Sequence, residues 1–405
     1  ALAAAGYETV LCGRMHFKGA DQRHGFTKRI FGDITPAYPN GGIAARTEVR
    51  KTFGMGGCLN VVGTGSSPVL EYDRAVVEAA VEYLNEEHDR PQCIVVGTYG
   101  PHFPYIAPEE LFELYHGDVS APGSWVPEAH DPNPLVDRKR QRERVSPRTG
   151  KTEPVDGTLV AAARAAYFGM ITEQDHHVGR VREQWEGYLR RAGREGVFVY
   201  SSDHGDTCGE HGVFGKQTFY EGSVRIPMIF AGAGIPAGGR IGSPVSLLDI
   251  GPTLCELGGA TPPPAQDGKS LHQQLVDTHD DANRAVISEW VQEFDGRVVA
   301  ARMVRQGRWK LLHFDDQECP DQLFDVESDS EESADLADEN PQAVRRLISI
   351  VHEDWHPDVI RREFAEKSEH VALLTAWSES ASPQEPAADK WSPPVETTGA
   401  PERIW

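Results

Sequence analysis

Val197-Phe198-Val199-Tyr200-Ser201-Ser202-Asp203-His204-Gly205-Asp206 is a short apolar run that breaks abruptly into a polar, glycine-containing turn. A continuous apolar run of this length reads as a strand buried on both faces, the kind found in parallel sheets. Its surroundings agree. Helical spacing runs from about Leu159 to Arg191 before it. Ile226 to Ala231 reads as a further strand after it, and Leu247 to Leu257 as a short helix. Upstream, Asp73 to His88 carries Val76, Ala80, Val81 and Leu84 on one side, and Cys93-Ile94-Val95-Val96-Gly97-Thr98 follows as a second buried strand. The opening ALAAAGYETVLC reads as a helix end stopped at Gly6 and a strand from Thr9 to Cys12. Strands alternating with helices predict an α/β fold, a sandwich around a mostly parallel central sheet.

The character changes after about residue 280. Ala285 to Phe294, Arg297 to Arg305 and Trp309 to Phe314 are closely spaced strand-like runs, and Pro341 to His352 is helical with proline at its start. This predicts three parts: an α/β domain over 1–275, a small antiparallel α+β subdomain over 280–355, and a tail over 356–405. The tail is rich in Ser, Pro, Glu and Ala from Ser378, and only its Trp391 and Trp405 look able to dock. It is where contact between copies in a homo-oligomer is expected. Residues 116–157, rich in Pro, Gly, Asp and Arg without periodicity, read as a long surface excursion and a candidate cover for the site.

Composition excludes some classes of function. The net charge is -22, which argues against a nucleic-acid partner, because such surfaces need basic patches. A small anion is not excluded, since local cations in a cleft override the global sign. No window approaches the roughly 18 consecutive apolar residues of a membrane span. The six cysteines are scattered and form no C-x-x-C pair, which predicts reduced, mostly buried thiols and favours a cytoplasmic setting.

In open α/β sheets the ligand site lies at the carboxyl ends of the strands. Asp203 and His204 follow one strand there, and an adjacent carboxylate and imidazole can reach one cation. The same residues also suit a polar turn held by local hydrogen bonds. Lys216, after Gly215, is placed to hold an oxyanion or is a solvated surface lysine. Glu210 and His211, between them, carry the same two readings. Cys12-Gly13-Arg14-Met15-His16 ends the first strand, and on an extended segment Arg14 and His16 point the same way. Arginine suits bidentate recognition of sulfate or phosphate oxygens. Gly100-Pro101-His102-Phe103-Pro104-Tyr105 ends another strand, with two prolines fixing the backbone around His102. A rigid histidine there can act as a general acid or bind an oxyanion. Three strands each ending in a cation or ligand is the coincidence that carries weight.

Together these segments resemble the type I sulfatases of the alkaline phosphatase superfamily, over nearly the whole chain. GRMHFKGADQRHGF (13–26) is similar to the Gly-Lys-x-His region, most of all in the bacterial choline-sulfatase branch. GPHFPY resembles the Pro-His-x-Pro-Tyr/Phe turn, and SSDHGDTCGEHGVFGKQTFYEGSVRIPMIF the metal-and-lysine segment. VSLLDIGPTLCELGG (245–259) resembles the Asp-x-x-Pro-Thr helix. MVRQGRWKLLHF and QLFDVESDSEE resemble the C-terminal subdomain, and DWHPDVI (354–360) the choline-sulfatase branch.

The resemblance implies that Asp203 and His204 are two ligands of a divalent cation, Ca²⁺ first and Mn²⁺ or Mg²⁺ as alternatives. It places Lys216 on the sulfate oxygens, and His16 and His102 around a formylglycine nucleophile and the leaving oxygen. Arg14 stands where the family has lysine; charge survives that change, but arginine cannot give up a proton. The family's nucleophile motif, C/S-x-P-x-R, is absent from these residues: Ser66-Ser67-Pro68-Val69-Leu70 has no arginine at its fifth position. The first pair of acidic ligands is also absent. About three βα units, roughly 90 residues, would carry them. The expected function is therefore hydrolysis of a small-molecule sulfate monoester, with residues 1–405 inactive by themselves. The rival readings are a phosphonate monoester or phosphodiester hydrolase of the same fold, and a non-catalytic sulfatase-like fragment.

Overall fold

The structure, a computed structural model, describes residues 1–17, 21–34, 58–125, 133–143, 155–381 and 403–404. Trp391, Trp405 and residues 382–402 of the tail, with 126–132 and 144–154 of the excursion, lie outside the described residues. In chain order, the larger layer contains Glu8–Gly13 (β1), Lys28–Phe31 (β2), Val62–Thr64 (β3), Pro68–Asn85 (α1), Gln92–Gly97 (β4) and Tyr105–Ala107 (β5). Gly157–Ala192 (α2), Val197–Ser201 (β6), Met228–Gly232 (β7) and Ile250–Leu257 (α3) follow. The C-terminal part contains Ala285–Phe294 (β8), Arg297–Gln306 (β9), Trp309–Phe314 (β10), Gln322–Asp325 (β11), Pro341–Val351 (α4) and Pro357–Ala381 (α5).

The expected α/β architecture is present. β1 lies between β2 and β4 and is parallel to both. Its Val10, Leu11 and Cys12 are fully buried. α1 covers this sheet because its apolar residues share one face: Val69, Tyr72, Val76 and Ala80 are all fully buried. Ser67 caps it by accepting a hydrogen bond from the Leu70 amide, with Pro68 in the first turn. α2 is 36 residues long, capped by Asp156 and ended by Gly193 in the left-handed region.

One strand departs from the parallel sense that predominates. β7 runs antiparallel to β6, with Val197 opposite Gly232 and Ser201 opposite Met228. A parallel pair needs a crossover long enough to return the chain to its starting end. Between β6 and β7 the chain makes only one 3₁₀ turn (Glu210–Gly212) and one short helix (Glu221–Val224), so it folds back at the same end.

The C-terminal strands form the expected antiparallel sheet, in the order β11-β10-β9-β8. Asp295 and Gly296, both at positive φ, make the two-residue turn between β8 and β9. The tail begins as helix: α5 runs from Pro357 to Ala381, past Ser378. Its Ala, Glu, Lys and Leu content supports helix without a buried face, and Leu373 and Trp377 stay exposed. Among the described residues no helix is long and apolar enough to cross a membrane. All six cysteines are free; five are buried and Cys93 is half-buried.

Candidate functional site

The site is built at the carboxyl ends of β1, β4 and β6. β1 and β4 close tightly there: a Cβ on Gly13 would lie 2.3 Å from the Gly97 carbonyl oxygen, and one on Gly97 would lie 1.9 Å from that of Arg14. The Arg14 amide donates to the Gly97 carbonyl at 2.8 Å. Just beyond, the buried Asp33 accepts from the amides of Met15 (3.2 Å) and His16 (3.0 Å). His16 takes a φ of 55°, so the segment is not extended as expected. The two side chains meet all the same, with Arg14 Nη2 3.2 Å from His16 Nδ1. The Arg14 guanidinium also lies over the Tyr99 ring at 4.3 Å.

Asp73 of α1 holds the turn after β4. Its carboxylate accepts from the Tyr99 amide (2.6 Å), the Gly100 amide (2.8 Å) and Gln174 Nε2 of α2 (2.5 Å). Burial pushes this carboxyl up to about 6, although the three donors pull the other way. His102 follows, its ring 4.8 Å from Tyr99 and 6.1 Å from His204. Its Nδ1 lies 3.0 Å from the Phe103 carbonyl oxygen, so in the neutral ring Nδ1 donates and Nε2 keeps its lone pair. Burial pushes this ring down to about 3, with the charges of Lys216, Arg14 and His204 acting in the same sense.

After β6, Asp203 projects with its side chain three-quarters exposed. His204 places Nδ1 2.8 Å from the Gly205 carbonyl oxygen, which turns Nε2 outward. That Nε2 lies 3.4 Å from Asp203 Oδ2 and 2.5 Å from Lys216 Nζ. Burial lowers the pKa of both His204 and Lys216. Lys216 is brought back across twelve residues by Asp206, which accepts from the Gly215 amide (2.8 Å), the Cys208 amide (2.9 Å) and the Tyr105 hydroxyl (2.8 Å).

Arg14, His16, His102, Asp203, His204 and Lys216 thus line one groove of about 1560 Å³. Glu210 lines it too, and burial raises its pKa. His211 is packed elsewhere, stacked on Tyr220. Sequence reasoning missed Asp73, Asp33 and Asp206. Asp73 had left a signal: it shares the helix face of Val76, Val77, Ala80 and Leu84, where a carboxylate must find buried donors.

His204 has one nitrogen held by a carbonyl and the other between Asp203 and Lys216, an orientation from which Nε2 could also serve as a metal ligand. Yet among the described residues no group of three or more His, Cys, Asp or Glu side chains is arranged to hold a metal ion. A hard cation takes about 6–8 oxygen ligands. Asp203 and His204 therefore do not make a cation site by themselves.

Comparison with known proteins identifies the family. The Sulfatase family model matches residues 1–260, and the model for the C-terminal part of N-sulphoglucosamine sulphohydrolase matches residues 209–354. The chain belongs to the sulfatase family, and is a hydrolase of that family. It is 32% identical to choline-sulfatase of Rhizobium meliloti over 84% of this chain and 67% of the relative. It is 27% identical to human arylsulfatase K over 83% of this chain and 69% of the relative. In fold it is similar to a phosphonate monoester hydrolase from Silicibacter pomeroyi, with a TM-score of 0.65, 20% identity, and 86% and 78% of the two chains covered. A 2-O GAG sulfatase is similarly alike, with a TM-score of 0.59, 20% identity, and 94% and 74% covered.

Proposed function

We propose that this groove binds the sulfate group of a small sulfate monoester, and that residues 1–405 supply the anion-holding half of a sulfatase site. The carrying observation is the convergence of Arg14, His102, His204 and Lys216 from three strand ends in a protein of net charge -22. Arg14 offers a planar fork for two sulfate oxygens, and its place over Tyr99 fixes its direction. Lys216 is a point charge on the same side, held by the Asp206 network. His102 is neutral in the free site. A bound anion opposes the flanking cations and raises the ring's proton affinity, which is the condition for it to protonate a leaving alcohol. His16 braces Arg14.

Asp203 and His204 would contribute to holding Ca²⁺, or Mn²⁺ or Mg²⁺, only with further ligands, which the described residues do not group around them. Such an ion would supply charge against the sulfate oxygens. The nucleophile must also come from elsewhere, since no C/S-x-P-x-R occurs in the sequence. Residues 1–405 alone are therefore expected to bind sulfate esters without turning them over.

The test is hydrolysis of an aryl sulfate, choline sulfate and a phosphonate monoester, with Ca²⁺ or Mn²⁺, by this chain and by one extended with upstream polypeptide. Expected is no turnover by the first and sulfate hydrolysis by the second. Metal-dependent turnover by residues 1–405 would refute the missing-nucleophile reading. Activity of the longer chain on the phosphonate alone would assign it to the rival substrate class.

A further inference from the structure

Asp73 sits within α1 on the face that packs against the sheet, and it is fully buried. A carboxylate in such a place is costly unless hydrogen bonds or a charge hold it. Its three donors, the Tyr99 and Gly100 amides and the Gln174 side chain, are all uncharged. The contact is tight: a Cβ on Gly100 would lie 2.5 Å from Gln174 Nε2 and 2.8 Å from Asp73 Oδ2. Charged and titratable groups surround it on each side. Arg14, after β1, attracts it. Burial raises the Tyr72 phenol on its own helix well above the ordinary value. On α2, His177 stands one turn beyond Gln174, and burial lowers its pKa. Arg74 and Glu173, next in sequence to Asp73 and Gln174, pair with each other between the two helices at 3.2 Å.

The two backbone donors belong to the turn from which the site hangs. Tyr99 carries the Arg14 guanidinium on its ring and meets the His102 ring edge-on. The His102 amide in turn donates to the Tyr99 carbonyl at 3.3 Å. An ionised carboxylate accepts all three hydrogen bonds with its two oxygens. Once protonated, either oxygen meets a group that is itself a donor. Only Gln174 can adapt, by turning its amide over to accept. The Tyr99 and Gly100 amides then lose their charged acceptor.

We propose that Asp73 is the positioning residue of the anion site, and that its ionised form holds the Tyr99–His102 turn in the geometry in which Arg14 and His102 meet a sulfate group. Asp73 acts through Tyr99 and Gly100. The identity of the bound anion rests on the sulfate reading, whereas the hold on the turn does not. The sign of the effect separates positioning from plain electrostatics. As a charge alone, the Asp73 carboxylate repels an anion, so neutralising it would tighten sulfate binding. Protonation of His204, His177 or Glu210 in the groove acts in that same sense. Positioning predicts the reverse for Asp73: sulfate binds more weakly as this carboxyl gains its proton.

Tyr99-Gly100 is the one Tyr-Gly step in the sequence, so ¹³C in tyrosine carbonyls with ¹⁵N in glycine gives the Gly100 amide a resonance of its own. The experiment follows its chemical shift against pH in residues 1–405, with the affinity for inorganic sulfate measured by calorimetry alongside. Expected is an inflection at about 6 in wild type and none in Asp73→Asn. The sulfate affinity of wild type relative to Asp73→Asn should shrink ~10-fold between about pH 7 and pH 5, in step with the ionised fraction of a group titrating near 6. A substitution that only damages the fold would weaken binding equally at both. Gln174→Met keeps the side-chain length and removes one donor, so it should move the inflection to higher pH. This second variant decides the question where Asp73→Asn does not fold. A wild-type advantage that is constant or grows as the pH falls would overturn the proposal. So would a Gly100 amide without an inflection, or an inflection that Gln174→Met leaves in place. A Gly100 amide that follows Asp73 as expected, in a protein that binds no sulfate at any pH, would refute the sulfate reading and leave the hold of Asp73 on the turn established.

Discussion

His211 sits in the segment that carries Asp203 and Lys216, yet its ring lies flat on Tyr220, with centroids 3.7 Å and planes 7° apart. Burial pushes the ring down to about 4, helped by Arg140 and Lys310 and opposed by contacts with Glu331 and Asp329. In the unfolded chain a histidine titrates near 6.5. Between about 4 and 6.5 the unfolded state therefore binds more protons, and stability falls as the pH falls through that window. Asp73, raised to about 6, works in the opposite sense below that pH. It is common to wild type and variant, so it cancels in their comparison. His211→Phe keeps a ring on Tyr220 and removes the proton. Its stability, from urea unfolding at a series of pH values, is expected to depend less on pH between 4.5 and 6, by up to about 1.4 kcal/mol per pH unit. An unchanged slope would mean that the ring is protonated in the folded state.

Gly13 and Gly97 decide how closely β1 and β4 approach at the edge where Arg14 and His102 emerge. Gly97→Ala would set a methyl 1.9 Å from the Arg14 carbonyl oxygen, a backbone atom that cannot swing aside. The expected cost is about 1–3 kcal/mol in urea unfolding, with weakened sulfate binding because Arg14 is displaced. Gly251→Ala in α3 is the control. Nothing lies within 4 Å of its added carbon, and it should stabilise by up to about 1 kcal/mol. At this scale the sequence was most informative. The strands ending at Gly97 and Ser201, and the hairpin strands Ala285–Phe294 and Trp309–Phe314, were legible because continuous or alternating apolar runs reflect burial directly. The direction of β7 was not legible, because it depends on how residues 202–227 fold. Nor was α5, whose charged and small residues carry no apolar face. Of the site, Arg14, His16, His102, Asp203 and His204 announced themselves by following strands, and Lys216 by its glycine-flanked loop. Asp33 and Asp206 did not, because their role is to accept backbone amides that only the folded chain brings near.

Across the whole molecule, the C-terminal sheet reaches the site through one buried cation. Lys310 of β10 has no exposed side-chain surface and lies 2.9 Å from Glu221 and 2.7 Å from Glu332. Glu332 also accepts from the Glu221 amide at 2.5 Å. Glu221 opens the short helix whose Ser223 carbonyl accepts from Gly205, the residue after His204. The path from β10 to the site thus runs through an ion triad, a helical turn and one backbone hydrogen bond. Burial raises the pKa of Glu332 even with Lys310 beside it, so the lysine is what keeps two carboxylates compatible there. Lys310→Met fills a similar volume but leaves both acids facing each other in low dielectric. Breaking a buried pair in this way costs about 3–5 kcal/mol, largely through the charge left behind. The variant should unfold at correspondingly lower urea, and the amides from Gly205 to Lys216 should exchange faster as the loop loosens. The triple variant Lys310→Met, Glu221→Gln, Glu332→Gln removes the stranded charge as well, and should recover most of the loss. Equal destabilisation of the single and triple variants would show that packing around Lys310, and not its charge, joins the C-terminal sheet to the site.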